Sequence, residues 1–184
     1  MTDGYFPLMT TIRLTTWVNA PVERCFLLAT SRNLSSPGHS NVPSHAFGGG
    51  SLEVGETIRW KIGWSMASYT SRIEAIRPYT YFREVMVAGI FRHYEHDHHF
   101  AAMDDGTRVR DEIRFTTRLG PLGHLLESVL RNRLMNMLIE RNGDLKRLAE
   151  SDEWQRYVQT GDTTRQTMSV SEPPPTVSNM QRFA

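Results

Sequence analysis

IFRHYEHDHHFAAMDDGTRVRDEIRFTTR, residues 90–118, reads as two strands joined by a tight turn. Asp104-Asp105-Gly106 is the turn, and the runs on either side alternate with the two-residue period of a pleated strand. On the second run Val109, Asp111, Ile113 and Phe115 share one face, while Arg108, Arg110, Glu112, Arg114 and Arg118 share the other. Five charged side chains cannot line a core, so the first set faces inward. On the first run Tyr94, His96, His98 and Phe100 form one face, and His93, Glu95, Asp97 and His99 the opposite one. The more apolar set again suits the interior. Pairing Ala102 with Thr107 puts His98 directly opposite Asp111, and a tighter turn makes the pair diagonal; in both registers an inward imidazole meets an inward carboxylate. A buried carboxylate requires a partner, so Asp111 is expected to bond to His98 or His96.

Working outward, similar strands precede this hairpin. Thr11–Val18 alternates, with Ile12, Leu14, Thr16 and Val18 on one face. Ile58, Trp60, Ile62 and Trp64 alternate with Thr57, Arg59 and Lys61, and Tyr69–Ile76 and Tyr81–Val87 follow, bounded by Arg77-Pro78 and Ala88-Gly89 turns. Turn signals at this spacing, with no helical pattern between, predict antiparallel hairpins. Phe82 and Met86 facing inward would bring Glu84 to the His/Asp group. Asn19-Ala-Pro21 starts a short helix, with Asn19 as its cap, in which Cys25 is a small core residue. Gly48-Gly49-Gly50 lacks both the Lys-Ser/Thr of a P-loop and the strand–helix context of a dinucleotide site, and reads as a flexible loop.

After Gly120-Pro121 the apolar period becomes 3.6: Leu122, Leu125, Leu126, Val129, Leu130, Leu134, Met137, Leu138, Leu145 and Leu148 form one stripe of a helix of up to about 30 residues, with Gly143 as the point where it could bend or break. Beyond about Ser151 the periodicity stops and Glu172-Pro-Pro-Pro-Thr176 appears, so the expected division is a domain over 1–150 and a mostly disordered tail over 151–184. A docking role for that tail has only the proline segment in its support.

Strand, helix, a meander of strands, then one long helix describes an α+β protein whose curved sheet closes on a single helix. The gap between them becomes an internal pocket. The walls expected from strand parity are Ile58, Trp60, Ile62, Trp64, Glu84, Tyr94, His96, His98, Phe100, Asp111, Ile113 and Phe115, with Leu126, Leu130 and Leu134 from the helix.

Charge and composition limit the partners. With 21 basic and 20 acidic residues the net charge is +1, which argues against a phosphate-neutralising nucleic-acid binder. One cysteine excludes an internal disulfide and multi-cysteine metal sites. No secretory signal and no 18-residue apolar run are visible, so a cytoplasmic protein without an integral membrane segment is expected. The sequence leaves the oligomeric state open.

His96-Asp-His98-His-Phe100, Gly106-Thr-Arg-Val-Arg-Asp111 and Leu119-Gly-Pro-Leu-Gly123 leading into a long helix resemble the START-related SRPBCC superfamily. More narrowly, the chain is similar to bacterial polyketide cyclase/dehydrase-like and ligand-binding members. Ser71-Arg-Ile-Glu-Ala-Ile-Arg-Pro78 and Gly89-Ile-Phe91 agree in position, and the resemblance covers roughly residues 8–150. It implies a helix-grip fold whose cavity holds a lipid, quinone, polyketide or other apolar small molecule, with no cofactor. Many members only bind or carry; some cyclise or dehydrate. This chain has Phe82-Arg-Glu84 where Phe-x-Asp is usual, Gly89-Ile-Phe91 for Gly-Pro-Phe, and Tyr94 for a common Trp.

Three readings of the histidines follow. Alternate strand histidines can ligate zinc, but alternation splits HYEHDHH across two faces and no third ligand has a secure position, so no metal is expected. His98 or His96 could act as a base oriented by Asp111, as a cyclase or dehydratase needs. The simplest reading is a structural polar pair that also offers hydrogen bonds to a ligand.

Overall fold

The computed structural model describes residues 9–31, 50–61, 68–117 and 123–158, apart from the side chains of 61 and 123–125. Six antiparallel strands form one sheet: β1 (Thr10–Val18), β2 (Thr57–Lys61), β3 (Ser68–Arg77), β4 (Tyr81–Gly89), β5 (Phe91–Met103) and β6 (Gly106–Thr117), in the spatial order β1-β6-β5-β4-β3-β2. Helix α1 (Val22–Ala29) follows β1, and helices α2 (Gly123–Ala149) and α3 (Trp154–Val158) follow β6.

Of the two registers left open for the β5–β6 hairpin, the structure has the direct one. Ala102 lies opposite Thr107, and His98 opposite Asp111. Gly106 makes the turn possible: its φ is +144°, and a Cβ there would sit 2.3 Å from the Val18 carbonyl oxygen. The neighbouring register puts Phe82 opposite His98 and Glu84 opposite His96, so the inward direction expected for Glu84 is observed. The β3–β4 pairing has two irregularities, an extra residue on β4 opposite Thr70/Ser71 and one on β3 between Ile73 and Ala75, the kind of insertion that bends and twists a sheet.

Burial follows the alternation. Ile12 and Val18 on β1, Tyr94 and Phe100 on β5, and Val109, Ile113 and Phe115 on β6 are all buried. Helix α2 covers this face with Leu130, Leu134, Leu138, Leu145 and Leu148. Fully burying each such side chain contributes about 1.5–3 kcal/mol.

Several expectations change. The helix runs unbroken through Gly143, where a Cβ would meet nothing within 4 Å, so no close packing forces a bend. Leu126 is 37% exposed and Val129 45%, so among the described side chains the first buried member of the stripe is Leu130. Leu122, the side chain of Leu125 and the Gly48-Gly49 pair lie outside the described residues. Asn19 does not cap α1: Pro21 occupies that position, and the Asn19 backbone N–H donates to Glu150 Oε1 at 2.8 Å. Chain order also extends past 150. Helix α3 docks on α1, with the Arg24 guanidinium 4.7 Å from the Trp154 ring centre and Ser31 Oγ donating to the Tyr157 carbonyl at 2.8 Å. The remainder of the expected tail, from 159, lies outside the described residues.

Candidate functional site

The core is two apolar clusters. One gathers Ile12, Trp60, Tyr69, Ile73, Phe91, Tyr94, Ile113, Phe115, Leu130, Leu134 and Leu138. The other gathers Val18, Cys25, Phe26, Phe82, Phe100, Val109, Leu145 and Leu148. A polar layer separates them, and each main element crosses it at the same level. On β6 Asp111 stands between Val109 and Ile113; on β5 His96 and His98 stand between Tyr94 and Phe100. On α2 Arg141 and Asn142 stand between Leu138 and Leu145, and on β4 Glu84 follows Phe82.

Asp111, fully buried, is the hub of this layer. Its Oδ1 lies 3.0 Å from His96 Nε2 and 2.7 Å from His98 Nδ1, and its Oδ2 accepts from Asn142 Nδ2 at 2.7 Å. Asn142 Nδ2 also reaches Thr16 Oγ1 at 3.1 Å. A carboxylate only accepts, so His96 Nε2 carries its ring proton toward Asp111, while His98 Nδ1 approaches the same oxygen without hydrogen-bond alignment. Glu84 is held by its other oxygen: Oε2 accepts from Ser71 Oγ at 2.7 Å and Trp60 Nε1 at 3.1 Å. Its Oε1 faces His98 Nε2 at 3.4 Å, outside hydrogen-bond alignment, and Nε2 has no hydrogen-bond partner.

Arg141 completes the layer. Its guanidinium lies 3.1 Å from His98 Nδ1 and 3.9 Å from Asp111 Oδ1, and it donates to the Ala29 carbonyl at 3.3 Å. A guanidinium only donates, so Arg141 donates to His98 Nδ1, and the ring proton of a neutral His98 sits on Nε2, facing Glu84. Phe82 stacks on the His98 ring at 3.9 Å and the His96 ring lies 3.7 Å from it, fixing its plane.

The electrostatics follow from burial and neighbours. Burial lowers the His96 pKa, as does His98, while Asp111 and Glu84 pull upward; it settles at about 4, so His96 is neutral at pH 7. Burial pushes Asp111 upward, but its bonds to His96 and His98 hold it well below the usual carboxylate range. Burial also raises Glu84, and the nearby His98, His96 and Arg141 outweigh it, leaving a pKa of about 2. Two buried carboxylates are therefore ionised beside one guanidinium.

Of the residues expected from sequence, Glu84, His96, His98 and Asp111 come together here. Ile58, Trp60, Tyr94, Phe100, Ile113, Phe115, Leu130 and Leu134 form buried apolar walls around them. Leu126 is not brought to this group, and Ile62 and Trp64 lie outside the described residues. Sequence reading missed Ser71, Arg141 and Asn142. It also left the metal reading without a third ligand, a place the structure fills with Glu84, one ligand atom of which lies within 4.8 Å of one from each of His96 and His98.

Cys25 is fully buried and its thiol is pushed up by burial, consistent with a packing residue. No helix among the described residues is long and apolar enough to cross a membrane.

No protein-family model matches the chain, and no curated protein matches it in sequence. Solved structures do match in fold. Protein TTHA0849 from Thermus thermophilus superposes with a TM-score of 0.57 at 22% identity, over 77% of this chain and 100% of that one. The Zhui aromatase/cyclase from Streptomyces sp. R1128 gives 0.56 at 17%, over 84% and 99%. Norcoclaurine synthase from Thalictrum flavum, solved with dopamine and hydroxybenzaldehyde, gives 0.57 at 8%, over 79% and 91%. At these identities the likeness is one of architecture: the chain has the α+β helix-grip fold, a curved antiparallel sheet closed by a long C-terminal helix.

Proposed function

We propose that the protein binds an apolar small molecule, such as a lipid, quinone or polyketide, between sheet and α2, and holds its polar end at the Glu84/His96/His98/Asp111 layer. The observation that carries this reading is the orphaned His98 Nε2. A buried ring nitrogen without a partner costs about 1–3 kcal/mol, and a ligand hydroxyl or carbonyl in reach of it would recover that. Affinity would come mainly from desolvation, at roughly 25 cal/mol per Å² of apolar area buried. Likeness in fold to an aromatase/cyclase and to a synthase solved with aromatic molecules is compatible with such a ligand.

Native mass spectrometry of protein purified from its own host tests this. A co-purifying apolar compound, released on denaturation, is expected. An empty protein that also fails to take up a panel of apolar fluorescent probes would overturn the reading.

One observation favours a second reading, a cyclase or dehydratase. Asp111 holds the Nε2 proton of His96, so the Nδ1 lone pair of that ring is the basic one and could remove a proton next to a ligand carbonyl. His96→Ala would then abolish turnover of a candidate polyketide while leaving its binding intact, and unchanged turnover would rule the assignment out.

A further inference from the structure

The contact between Glu84 Oε1 and His98 Nε2 poses a charge problem. A neutral His98, whose Nδ1 takes its hydrogen bond from Arg141, keeps its ring proton on Nε2, and what faces it at 3.4 Å is the buried Oε1 of Glu84. A charge-assisted hydrogen bond between such groups closes to about 2.7–2.9 Å along the N–H line. The observed pair is wider and off that line, and Nε2 has no hydrogen-bond partner.

The spacing does suit a shared cation. With zinc bonds of about 2.0–2.2 Å to nitrogen and carboxylate oxygen, two tetrahedral ligands stand about 3.3–3.5 Å apart. His96 supplies a third ligand atom within 4.8 Å of the other two. The surroundings are also those of a metal site. Metal-bound imidazoles usually donate their second nitrogen to a carboxylate; here His96 Nε2 bonds to Asp111 Oδ1, and His98 Nδ1 lies 2.7 Å from the same oxygen. Asp111 is fixed in turn by Asn142, and Glu84 by Ser71 and Trp60, which occupy only its far oxygen. Arg141, the cation beside this group, sits against the Nδ1 side of His98 and Asp111.

We propose that Glu84, His96 and His98 form a binding site for one divalent transition-metal ion of the zinc class, with Asp111 as the shared orienting carboxylate. Three protein ligands leave a fourth position open for water or for an oxygen of a bound molecule. The proposal does not require the ligand reading above, since metal uptake is read with no organic ligand present.

The test uses the full chain, refolded with one equivalent of zinc or cobalt(II) so that access to the buried site is not limiting, then desalted. Elemental analysis should find about one metal per chain, and cobalt should give the intense visible band of a tetrahedral site. Glu84→Gln, which keeps an oxygen for Ser71 and Trp60, and His98→Ala should each weaken retention at least tenfold. His93→Ala, on the outer sheet face, should not. Should His98→Ala fail to fold, the zinc-induced rise in melting temperature decides: present in the natural chain and lost in Glu84→Gln. Absence of stoichiometric metal in the natural chain overturns the site, as does uptake unchanged in Glu84→Gln or lost equally in His93→Ala.

Discussion

Asn142 Nδ2 donates to Asp111 Oδ2 across 2.7 Å, tying the middle of α2 to the central strand of the polar layer. Both residues are buried, so water cannot take over if the bond is cut. Asn142→Ala leaves one carboxylate oxygen unsatisfied in the core and should cost about 2–3 kcal/mol, read as a lower urea midpoint. Asn142→Asp should cost more, because it sets a second carboxylate against the first. A variant as stable as the natural protein would show that the helix is held by its leucines alone.

Trp60 has two roles that a substitution separates. Its ring packs near Tyr69, with centres 6.5 Å apart, while its Nε1 bonds to Glu84 Oε2 at 3.1 Å. Trp60→Phe keeps most of the packing and removes the donor, for an expected loss of about 1–2 kcal/mol. In a Glu84→Gln background the loss should shrink, because a neutral amide depends less on that donor. Strict additivity in this double-mutant cycle would mean that the indole acts by packing and by its 2.9 Å bond to Ser71 Oγ, and not through Glu84.

Legibility in the sequence depended on whether local pattern or long-range register decided a position. Strand parity around the turn at Asp104–Gly106 puts His98 and Asp111 on one face in either register, so their nearness could be read from a short segment, while the direct pairing needed the structure. Glu84 was harder, since its level depends on the β4–β5 pairing beyond Gly89. Asn142 had a signal that went unused: it lies four residues after Leu138 and three before Leu145, in phase with the buried stripe. A polar residue in that phase points into the core. Asp97 had no such signal. Strand parity turns it outward, yet it is buried beneath Arg83, Arg114 and Tyr81, side chains from neighbouring strands that only the assembled sheet brings together.

That outer-face group makes stability depend on acid. Burial raises the Asp97 pKa, but bonds from Arg83 and Tyr81 and the charge of Arg114 outweigh it and hold it below the ordinary carboxylate value. A depressed carboxylate stabilises the fold above its unfolded pKa of about 3.9, and that contribution is lost as pH falls through the folded value. The groups around it include Glu74, Glu95, His99 and Glu112, so the natural chain alone would mix several titrations. Comparing it with Asp97→Asn isolates the one. The natural protein should be the more stable at pH 6, and the gap in urea midpoint should narrow below pH 4. A gap independent of pH would mean that Asp97 is held by hydrogen bonding without a net charge effect.

The boundary of the folded unit can be set by truncation. Ending the chain after Glu150 removes the Arg24–Trp154 stack and the bond from Ser31 Oγ to the Tyr157 carbonyl. Ending it after Val158 keeps both. A cation–π contact near the surface contributes about 0.5–1 kcal/mol and a hydrogen bond a similar amount. The shorter chain should therefore melt lower, with a stability deficit of about 1–2 kcal/mol against the longer one. Because α3 packs on α1, the loss should appear first as faster hydrogen exchange in Val22–Ala29, with β5 and β6 still protected. Equal stability of the two truncations would place the end of the domain at 150, where the apolar periodicity of α2 stops.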